Sequence, residues 1–147
     1  MPSEETGAIR RVDELLESTL DSVDTAEANT LRLAEEIGFD EEDLHKIGMA
    51  VRECMVNAVV HGNRYNARKR VHFVCIREPD RLTVVIRDEG EGFDLKSLPD
   101  PLAEENLLRQ SGRGLLLIQA FMDEFDIHRA QPGGTEIKMV KYLAKAS

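Results

Sequence analysis

The stretch from Asp40 to Asn63 has the clearest hydrophobic pattern in the chain. Apolar side chains recur at the three-or-four spacing that lines one face of a helix, namely Leu44, Ile47, Val51, Cys54, Met55 and Ala58. Asp40 is suited to accept hydrogen bonds from the first free amides, and Phe39 to pack on Leu44 as a hydrophobic staple. Gly62 suits a left-handed residue that closes the helix. The pattern predicts a buried helix with both ends specified.

Glu53 and Asn57 are two polar residues that this apolar stripe does not explain. A helix places them one turn apart on the same face, with His61 a further turn along. A solvated polar face is the simpler interpretation of such a pair. Three flanking apolar residues, Val56, Val59 and Val60, instead favour a pair that lies beside buried surface and needs partners.

The residues before this helix are patterned less clearly. Ile9 to Leu16 mixes charged and apolar residues and fits either a helix or a strand. A short run from Ser18 to Val23 predicts an edge strand, after which Asp24 or Thr25 caps an outer helix that runs through Ile37.

Two pairs of β-rich segments follow. Val71 to Ile76 and Leu82 to Ile86 are dense in β-branched residues and flank a polar turn, which predicts an antiparallel hairpin. Glu124 to His128 and Thr135 to Tyr142 alternate around a turn that contains two glycines, which predicts a second hairpin.

Glycines mark two places where a ligand has room to approach the backbone. Asp88 ends a predicted strand and is followed by Gly90 and Gly92. A glycine turn that simply closes a strand is the plainer interpretation of this segment. The long stretch from Asp94 to Ser111 lacks periodicity, as functional lids and disordered loops do.

The second glycine segment precedes a helix. Gly112, Arg113 and Gly114 open the apolar run from Leu115 to Phe121, which predicts a buried helix. Free amides at a helix N-terminus, the helix dipole and a guanidinium together favour an anion such as phosphate.

The element order predicts a two-layer sandwich of the α+β kind. Strand, helix, helix, hairpin, lid, helix and hairpin pack most simply as one mixed, mostly antiparallel sheet with helices on one face. The 147 residues suit a single domain. We expect residues 1–17 to be an N-terminal extension of uncertain role and residues 18–147 to form that domain.

Charge and composition narrow the functional classes. A formal net charge of −9 argues against direct nucleic-acid binding and favours a protein or small-molecule partner. There is no apolar run of membrane-spanning length and no secretory leader, so we expect a cytoplasmic protein. Cys54 and Cys75 lie in apolar segments without paired spacing, which predicts reduced core residues rather than a structural metal site or a disulfide.

The sequence lacks the motifs of several common nucleotide-binding folds and hydrolases. No glycine-rich loop ends in Lys-Ser or Lys-Thr, and neither glycine pair has the third glycine of the dinucleotide fingerprint. No serine lies in a nucleophile elbow, and both cysteines lie in core-like runs.

Four segments together carry a family resemblance: RECMVNAVVHGN, RDEGEGFD, SGRGLLLIQAFMDEF and GGTEIKM. In order and spacing they resemble the ATP-binding superfamily of gyrase, histidine-kinase and chaperone type, the GHKL superfamily with its Bergerat-type fold. The resemblance covers roughly residues 18–145, and it is greatest to the small anti-sigma factor serine/threonine kinases of bacterial partner switching. The chain departs from the common pattern at Arg52, where that family often has serine.

The resemblance implies a role for each matched residue. Glu53 corresponds to the general base, Asn57 to the residue that holds Mg²⁺ at the phosphates, and Asp88 to the acceptor for the adenine amino group. These roles agree with the chemistry of a carboxylate base, of a hard cation that takes amide oxygen, and of an acceptor that reads an amine. The remaining ATP-binding positions implied are Gly90, Gly92, Gly112, Arg113, Gly114 and Thr135.

Three functions are compatible with these assignments. The resemblance implies an ATP-binding anti-sigma factor that phosphorylates an anti-anti-sigma factor, silences a sigma factor and forms a homodimer. The alternative is a non-enzymatic module that binds ATP and a protein partner. Glu53 favours the kinase, because a pure binding module has no use for a base beside the phosphates. A histidine-kinase fragment fits less well, since no separate helical segment carries an acceptor histidine.

Overall fold

The computed structural model describes residues 9–90, 114–130 and 133–144. The elements in chain order are β1 (Arg10–Glu17), α1 (Leu20–Ile37), α2 (Glu41–Val56), a π-helical continuation of α2 (Asn57–Gly62), β2 (Arg70–Arg77), β3 (Arg81–Arg87), α3 (Gly114–Phe121), β4 (Glu124–Arg129) and β5 (Thr135–Tyr142). None of the helices within these ranges is long and apolar enough to cross a lipid bilayer.

The five strands form one sheet in the order β1-β2-β3-β5-β4. All four pairings between them are antiparallel, so the sheet is not mixed as the element order suggested. Val71, Phe73 and Cys75 of β2 are buried, whereas the residues between them are only half-buried, as expected for a sheet with one covered face. Helices α1 and α2 cover that face, and α3 packs against α2. The predicted two-layer α+β sandwich is confirmed.

The edge strand comes from the stretch whose structure the sequence left open. Residues of β1 pair along its whole length with β2, from Arg10 opposite Arg77 to Glu17 opposite Arg70. Val12 and Leu16 pack on the core while Leu15 stays exposed, and burial alternates residue by residue along the segment, as it does in a strand. The segment before Ser18, which we expected to be an extension, therefore contributes a strand to the sheet.

The edge strand predicted from Ser18 to Val23 is wrong, because α1 already begins there. The side-chain oxygen of Thr19 accepts a hydrogen bond from the Ser22 amide (3.4 Å), so the helix is capped at Thr19, before the predicted cap at Asp24 or Thr25. Gly38 closes it in the left-handed conformation, with φ of 108°.

Helix α2 begins as predicted but ends differently. Asp40 caps it by accepting a hydrogen bond from the Asp43 amide (2.8 Å). After Val56 the backbone widens into a π-helix, so that the Asn63 amide donates to the Ala58 carbonyl five residues earlier (2.8 Å). The left-handed closure predicted at Gly62 is wrong, since that residue has no positive φ and Asn63 follows it in right-handed geometry.

Both predicted hairpins and the third helix are confirmed. The Glu78 amide donates to the Arg81 carbonyl across the first turn (2.9 Å). Lys141 of β5 donates to the carbonyl of Phe121 (2.9 Å) and so caps the C-terminal end of α3. The predicted lid from Asp94 to Ser111 lies outside the described residues.

The core lies between the sheet and the helices and contains both cysteines. Cys54 and Cys75 are buried and unpaired with each other, as predicted. Burial raises the pKa of both thiols, that of Cys75 to about 12. The largest fully buried side chains are Phe73, Leu33, Ile47, Met55, Leu82, Ile86, Ile118, Met139, Val23 and Val51.

Candidate functional site

A buried carboxylate lies where β3 ends. Asp88 is only 5% exposed, and its Oδ1 accepts hydrogen bonds from the amides of Gly90 (3.0 Å) and Thr135 (3.1 Å). The Asp88 amide in turn donates to the Thr135 carbonyl (3.0 Å), which ties the start of β5 to the end of β3. Burial raises the pKa of Asp88, although the two amides act in the opposite direction. Among the described residues no donor binds Oδ2, so one oxygen of a rigidly held carboxylate remains for a ligand.

The end of the α2 continuation packs directly on this carboxylate. A Cβ placed on Gly62 would lie 2.3 Å from Oδ2 of Asp88, and one placed on Gly90 would lie 2.1 Å from the Gly62 carbonyl oxygen. Both distances are far below van der Waals contact, so only glycine fits at either position. The two glycines therefore let the end of the helix and the segment that follows β3 pack together at Asp88.

Glu53 and Asn57 lie earlier on the same helix. The Asn57 amide donates to the carbonyls of Glu53 and Cys54, which places Asn57 one turn after Glu53, as predicted. His61 lies four residues after Asn57 within the π-helical continuation, about one turn further along.

The side chain of Asn57 has an unusual environment. Its Nδ2 atom is buried and has no hydrogen-bond partner among the described residues. Buried amide groups in folded proteins almost always have a partner, so the Asn57 side chain is a candidate to bind a polar ligand. Rotating the amide by half a turn would present Oδ1 at the same point.

Asn63 is a site residue that the sequence reasoning missed. Its side chain is 2% exposed and joins three segments: Oδ1 accepts from the Glu89 amide (2.8 Å), and Nδ2 donates to the Arg70 carbonyl (2.9 Å) and to Ser18 Oγ (2.9 Å). The signal was an asparagine directly after Gly62, at the end of the first motif.

Glu89 adds a second link between the strand ends. Its carboxylate accepts hydrogen bonds from the Arg70 amide (2.9 Å) and lies 2.9 Å from His72 Nε2. The hydrogen bond from Arg70 is the main reason why the pKa of Glu89 is lowered, and His72 acts in the same direction.

Arg52, which replaces the serine common in the resembling family, bridges the two long helices. Its Nη1 lies 2.9 Å from Asp24 Oδ1 and 2.7 Å from Glu27 Oε1, both on α1. Arg52 directly precedes Glu53 and thus fixes this part of α2 against α1.

The other predicted site residues divide into two groups. Thr135 and Gly90 meet at Asp88, and Gly114 is the first residue of α3. Gly92, Gly112 and Arg113 lie outside the described residues.

Comparison with protein-family models matches residues 16–141 to the histidine kinase-like ATPase domain. An anti-sigma F factor of Oceanobacillus iheyensis is 32% identical over 107 residues, which cover 71% of this chain and 73% of that protein. An anti-sigma F factor of Bacillus thuringiensis is 35% identical over 108 residues, which cover 72% and 74%.

A solved structure has a similar fold. It contains the RsbU and RsbW domains of Rv1364c from Mycobacterium tuberculosis and aligns with a TM-score of 0.66 at 22% identity. The match covers 94% of this chain and 34% of that longer one.

Proposed function

The chain belongs to the histidine kinase-like ATPase family, and from this premise we propose that it is an ATP-binding anti-sigma factor and protein serine/threonine kinase. Its protein substrate in this proposal is an anti-anti-sigma factor, and its second partner is a sigma factor. Relatives named anti-sigma F factor support this function over that of other members of the family. The proposal implies a cytoplasmic protein, because an anti-sigma factor acts where its sigma factor is.

The observation that carries ATP binding is the carboxylate of Asp88. Its Oδ1 is held by two backbone amides, and its Oδ2 has no donor among the described residues. A carboxylate can only accept hydrogen bonds, so it selects a base with an exocyclic amino group at this point, as adenine has. The glycines beside it let the neighbouring backbone pack closely and so fix the position of the carboxylate.

The helix whose end at Gly62 packs on Asp88 gives the second support. Glu53 lies nine residues before Gly62, so at a rise of ~1.5 Å per residue the two positions are at most ~14 Å apart along the helix. An extended nucleoside triphosphate spans a distance of this order. A base at Asp88 thus leaves the phosphates to be bound near Asn57 and Glu53.

Asn57 fits a magnesium ion at the phosphates. Its amide is the buried polar group without a partner, and an amide oxygen is a ligand that this hard cation accepts. When bound, Mg²⁺ would neutralise phosphate charge.

Gly112 to Gly114 are proposed to donate amides to the phosphates. In support, Gly114 is the first residue of α3, and the positive end of a helix dipole favours an anion. Arg113 would add a guanidinium, and Gly92 is proposed as a further ATP-binding position.

Glu53 is the proposed general base. It lies half-buried one turn before Asn57, where a carboxylate can accept the proton of a seryl or threonyl hydroxyl as the oxygen attacks the terminal phosphate. This residue distinguishes the kinase from a module that only binds ATP.

A homodimer is the last part of the proposal, and it rests on the family resemblance. Light scattering at micromolar concentration tests it, since the monomer mass is 16.6 kDa.

The deciding experiment incubates the protein with Mg²⁺, γ-labelled ATP and each candidate anti-anti-sigma protein. Transfer of label to a serine or threonine supports the kinase. ATP binding without transfer to any candidate favours the non-enzymatic module, and an absence of ATP binding overturns both.

A further inference from the structure

Asn63 joins three parts of the chain that meet beside the candidate nucleotide site. Its side chain forms hydrogen bonds with three residues. They are Ser18 between β1 and α1, Arg70 at the start of β2, and Glu89, which follows Asp88. At 2% exposure it is among the most buried polar residues of the described chain.

The position of Asn63 relative to Asp88 is specific. Gly62 directly precedes Asn63, Asp88 directly precedes Glu89, and Gly62 and Asp88 are themselves in tight contact. The 2.8 Å hydrogen bond from the Glu89 amide to Asn63 Oδ1 therefore lies next to that contact and holds both segments at this separation.

We propose that Asn63 is a positioning residue that fixes the carboxylate of Asp88 for recognition of the adenine base. The proposal rests on the function proposed above. Asn63 does not contact the nucleotide in it; it sets the distance between the end of the α2 continuation and the end of β3, and thereby the direction of Asp88 Oδ2.

An amide is required because the three partners need both an acceptor and donors. Glu89 supplies an N–H, whereas Arg70 supplies a carbonyl oxygen. The hydroxyl of Ser18 already donates to the Lys69 carbonyl (2.7 Å), so it needs a donor from Asn63. Aspartate would keep the hydrogen bond from the Glu89 amide, but its second carboxylate oxygen would face the oxygen atoms of Arg70 and Ser18. Alanine would lose all three hydrogen bonds.

The strand ends have an anchor that does not involve Asn63. Glu89 bonds the Arg70 amide and His72 through its own side chain, so the ends of β2 and β3 stay joined when Asn63 is replaced. Replacing Asn63 would instead remove the hydrogen bonds that hold the end of the helix at Gly62 near these strands. Because Glu53 and Asn57 lie earlier on that helix, the loss should affect base recognition more than phosphate chemistry.

The test compares Asn63→Ala and Asn63→Asp with the wild type in calorimetric titrations with ATP and with GTP. Guanine presents an acceptor where adenine presents its amine, so the ratio of the two affinities reports the direction of Asp88. We expect Asn63→Ala to weaken ATP binding by ~10-fold or more and to lower the preference for ATP over GTP. Asn63→Asp should also weaken ATP binding and lower this preference, and kcat for transfer should change less than KM for ATP.

Asn66→Ala is the matched control. Asn66 is an exposed asparagine in the same loop, where its Oδ1 accepts from the Arg68 amide (2.8 Å). Its replacement should leave both affinities within about 2-fold of wild type, as expected for an exposed hydrogen bond.

A double-mutant cycle separates positioning from general stabilisation. If Asn63 acts through Asp88, adding Asn63→Ala to Asp88→Asn should cause little further loss of ATP affinity. An equal loss in both backgrounds, or wild-type affinity and selectivity in folded Asn63→Ala, overturns the proposal. If Asn63→Ala does not fold, Asn63→Asp in the same cycle decides. A wild-type protein that binds no ATP instead overturns the proposed function and this inference with it.

Discussion

Gly62 and Asp88 lie in such close contact that a Cβ on Gly62 would be 2.3 Å from Oδ2 of Asp88 and 2.4 Å from its Cγ. The end of a helix thus packs directly on a buried carboxylate. Because Oδ1 is held by amides on the other side, the carboxylate cannot retreat without breaking those hydrogen bonds.

Gly62→Ala should therefore impair nucleotide binding and stability together. The added methyl group must displace Asp88, which breaks its bonds to Gly90 and Thr135. Overpacking of this kind costs about 1–3 kcal/mol, and we expect the free energy of unfolding to fall by that amount. Urea denaturation measures the loss of stability, and calorimetry measures the accompanying loss of ATP affinity.

Gly48→Ala on the same helix is the control for this substitution. A Cβ at Gly48 would meet Glu27 Oε2 at 3.1 Å and Leu31 at 3.6 Å, contacts that flexible side chains can relieve. The gain in helix propensity of up to ~1 kcal/mol offsets the crowding, so stability and ATP affinity should change little. Equal ATP affinity in Gly62→Ala and Gly48→Ala would contradict the proposed binding of the adenine base at Asp88.

Asp88→Asn should abolish most ATP binding without unfolding the protein. With its oxygen held by the amides of Gly90 and Thr135, the new side chain presents an NH₂ group where the adenine amine needs an acceptor. Loss of a charged hydrogen bond costs about 1.5–3 kcal/mol of binding free energy. Equal affinity of wild type and variant in calorimetry would remove the adenine assignment.

The same variant should keep its stability at neutral pH. Burial raises the pKa of Asp88 in the folded state. A group whose pKa is raised by folding stabilises the protein at a pH below its pKa in the unfolded chain. This stabilisation is lost as the pH rises through the pKa in the folded protein. The ionised carboxylate thus lowers the stability of the wild type at pH 7, and asparagine carries no such charge. A variant much less stable than wild type in urea at pH 7 would contradict this.

Much of this fold could be predicted from local patterns. Helix α2 has a strong apolar stripe and a capping aspartate, and β2 and β3 are rich in β-branched residues. Each of these signals lies within one segment. Because local signals and tertiary structure agree there, the predicted elements are confirmed with small shifts at their ends.

The wrong or missing predictions concern residues whose structure depends on contacts with residues far away in the sequence. Arg10 to Glu17 is a strand because β2 pairs with it, and its own sequence fits a helix as well. Gly62 resembles a helix cap, but its glycine is required by Asp88, which is 26 residues away. The role of Asn63 likewise depends on Ser18 and Glu89, which no spacing along the chain brings together.

Glu89→Gln should change how stability depends on pH. The hydrogen bond from the Arg70 amide lowers the pKa of Glu89 in the folded state. A lowered pKa gives stability that is present above the ordinary glutamate value of ~4.3 and is lost as pH falls through the folded value. The stability difference between wild type and Glu89→Gln should therefore shrink on acidification, which urea denaturation between pH 7 and about pH 3 measures.

Glu17→Gln is the comparison for this pH series, because Glu17 is exposed on the edge strand. Its stability should follow that of the wild type through the acid range. Parallel curves for Glu89→Gln and wild type would mean that the ionised Glu89 contributes nothing to the folded state.

Asn57→Ala should reduce both ATP binding and phosphotransfer. The substitution removes the amide whose buried Nδ2 has no partner among the described residues, so it should cost the free protein little stability. The proposed metal ligand is lost in the ground state and during transfer alike. Titrating Mg²⁺ at fixed ATP should show a weaker dependence on the metal than in the wild type. An unchanged Mg²⁺ dependence would assign the metal to other residues.

Glu53→Ala should separate binding from chemistry. It leaves Asp88, Gly62 and Asn57 in place, so the affinity for ATP should change by less than about 3-fold. Loss of general-base assistance should slow single-turnover transfer to the anti-anti-sigma protein by ~10²- to 10⁴-fold. Glu35→Ala removes an exposed glutamate of α1 and should transfer phosphate at the wild-type rate. If Glu53→Ala also transfers at that rate, Glu53 is not the base; if no variant and no wild type transfers, the protein is an ATP-binding module.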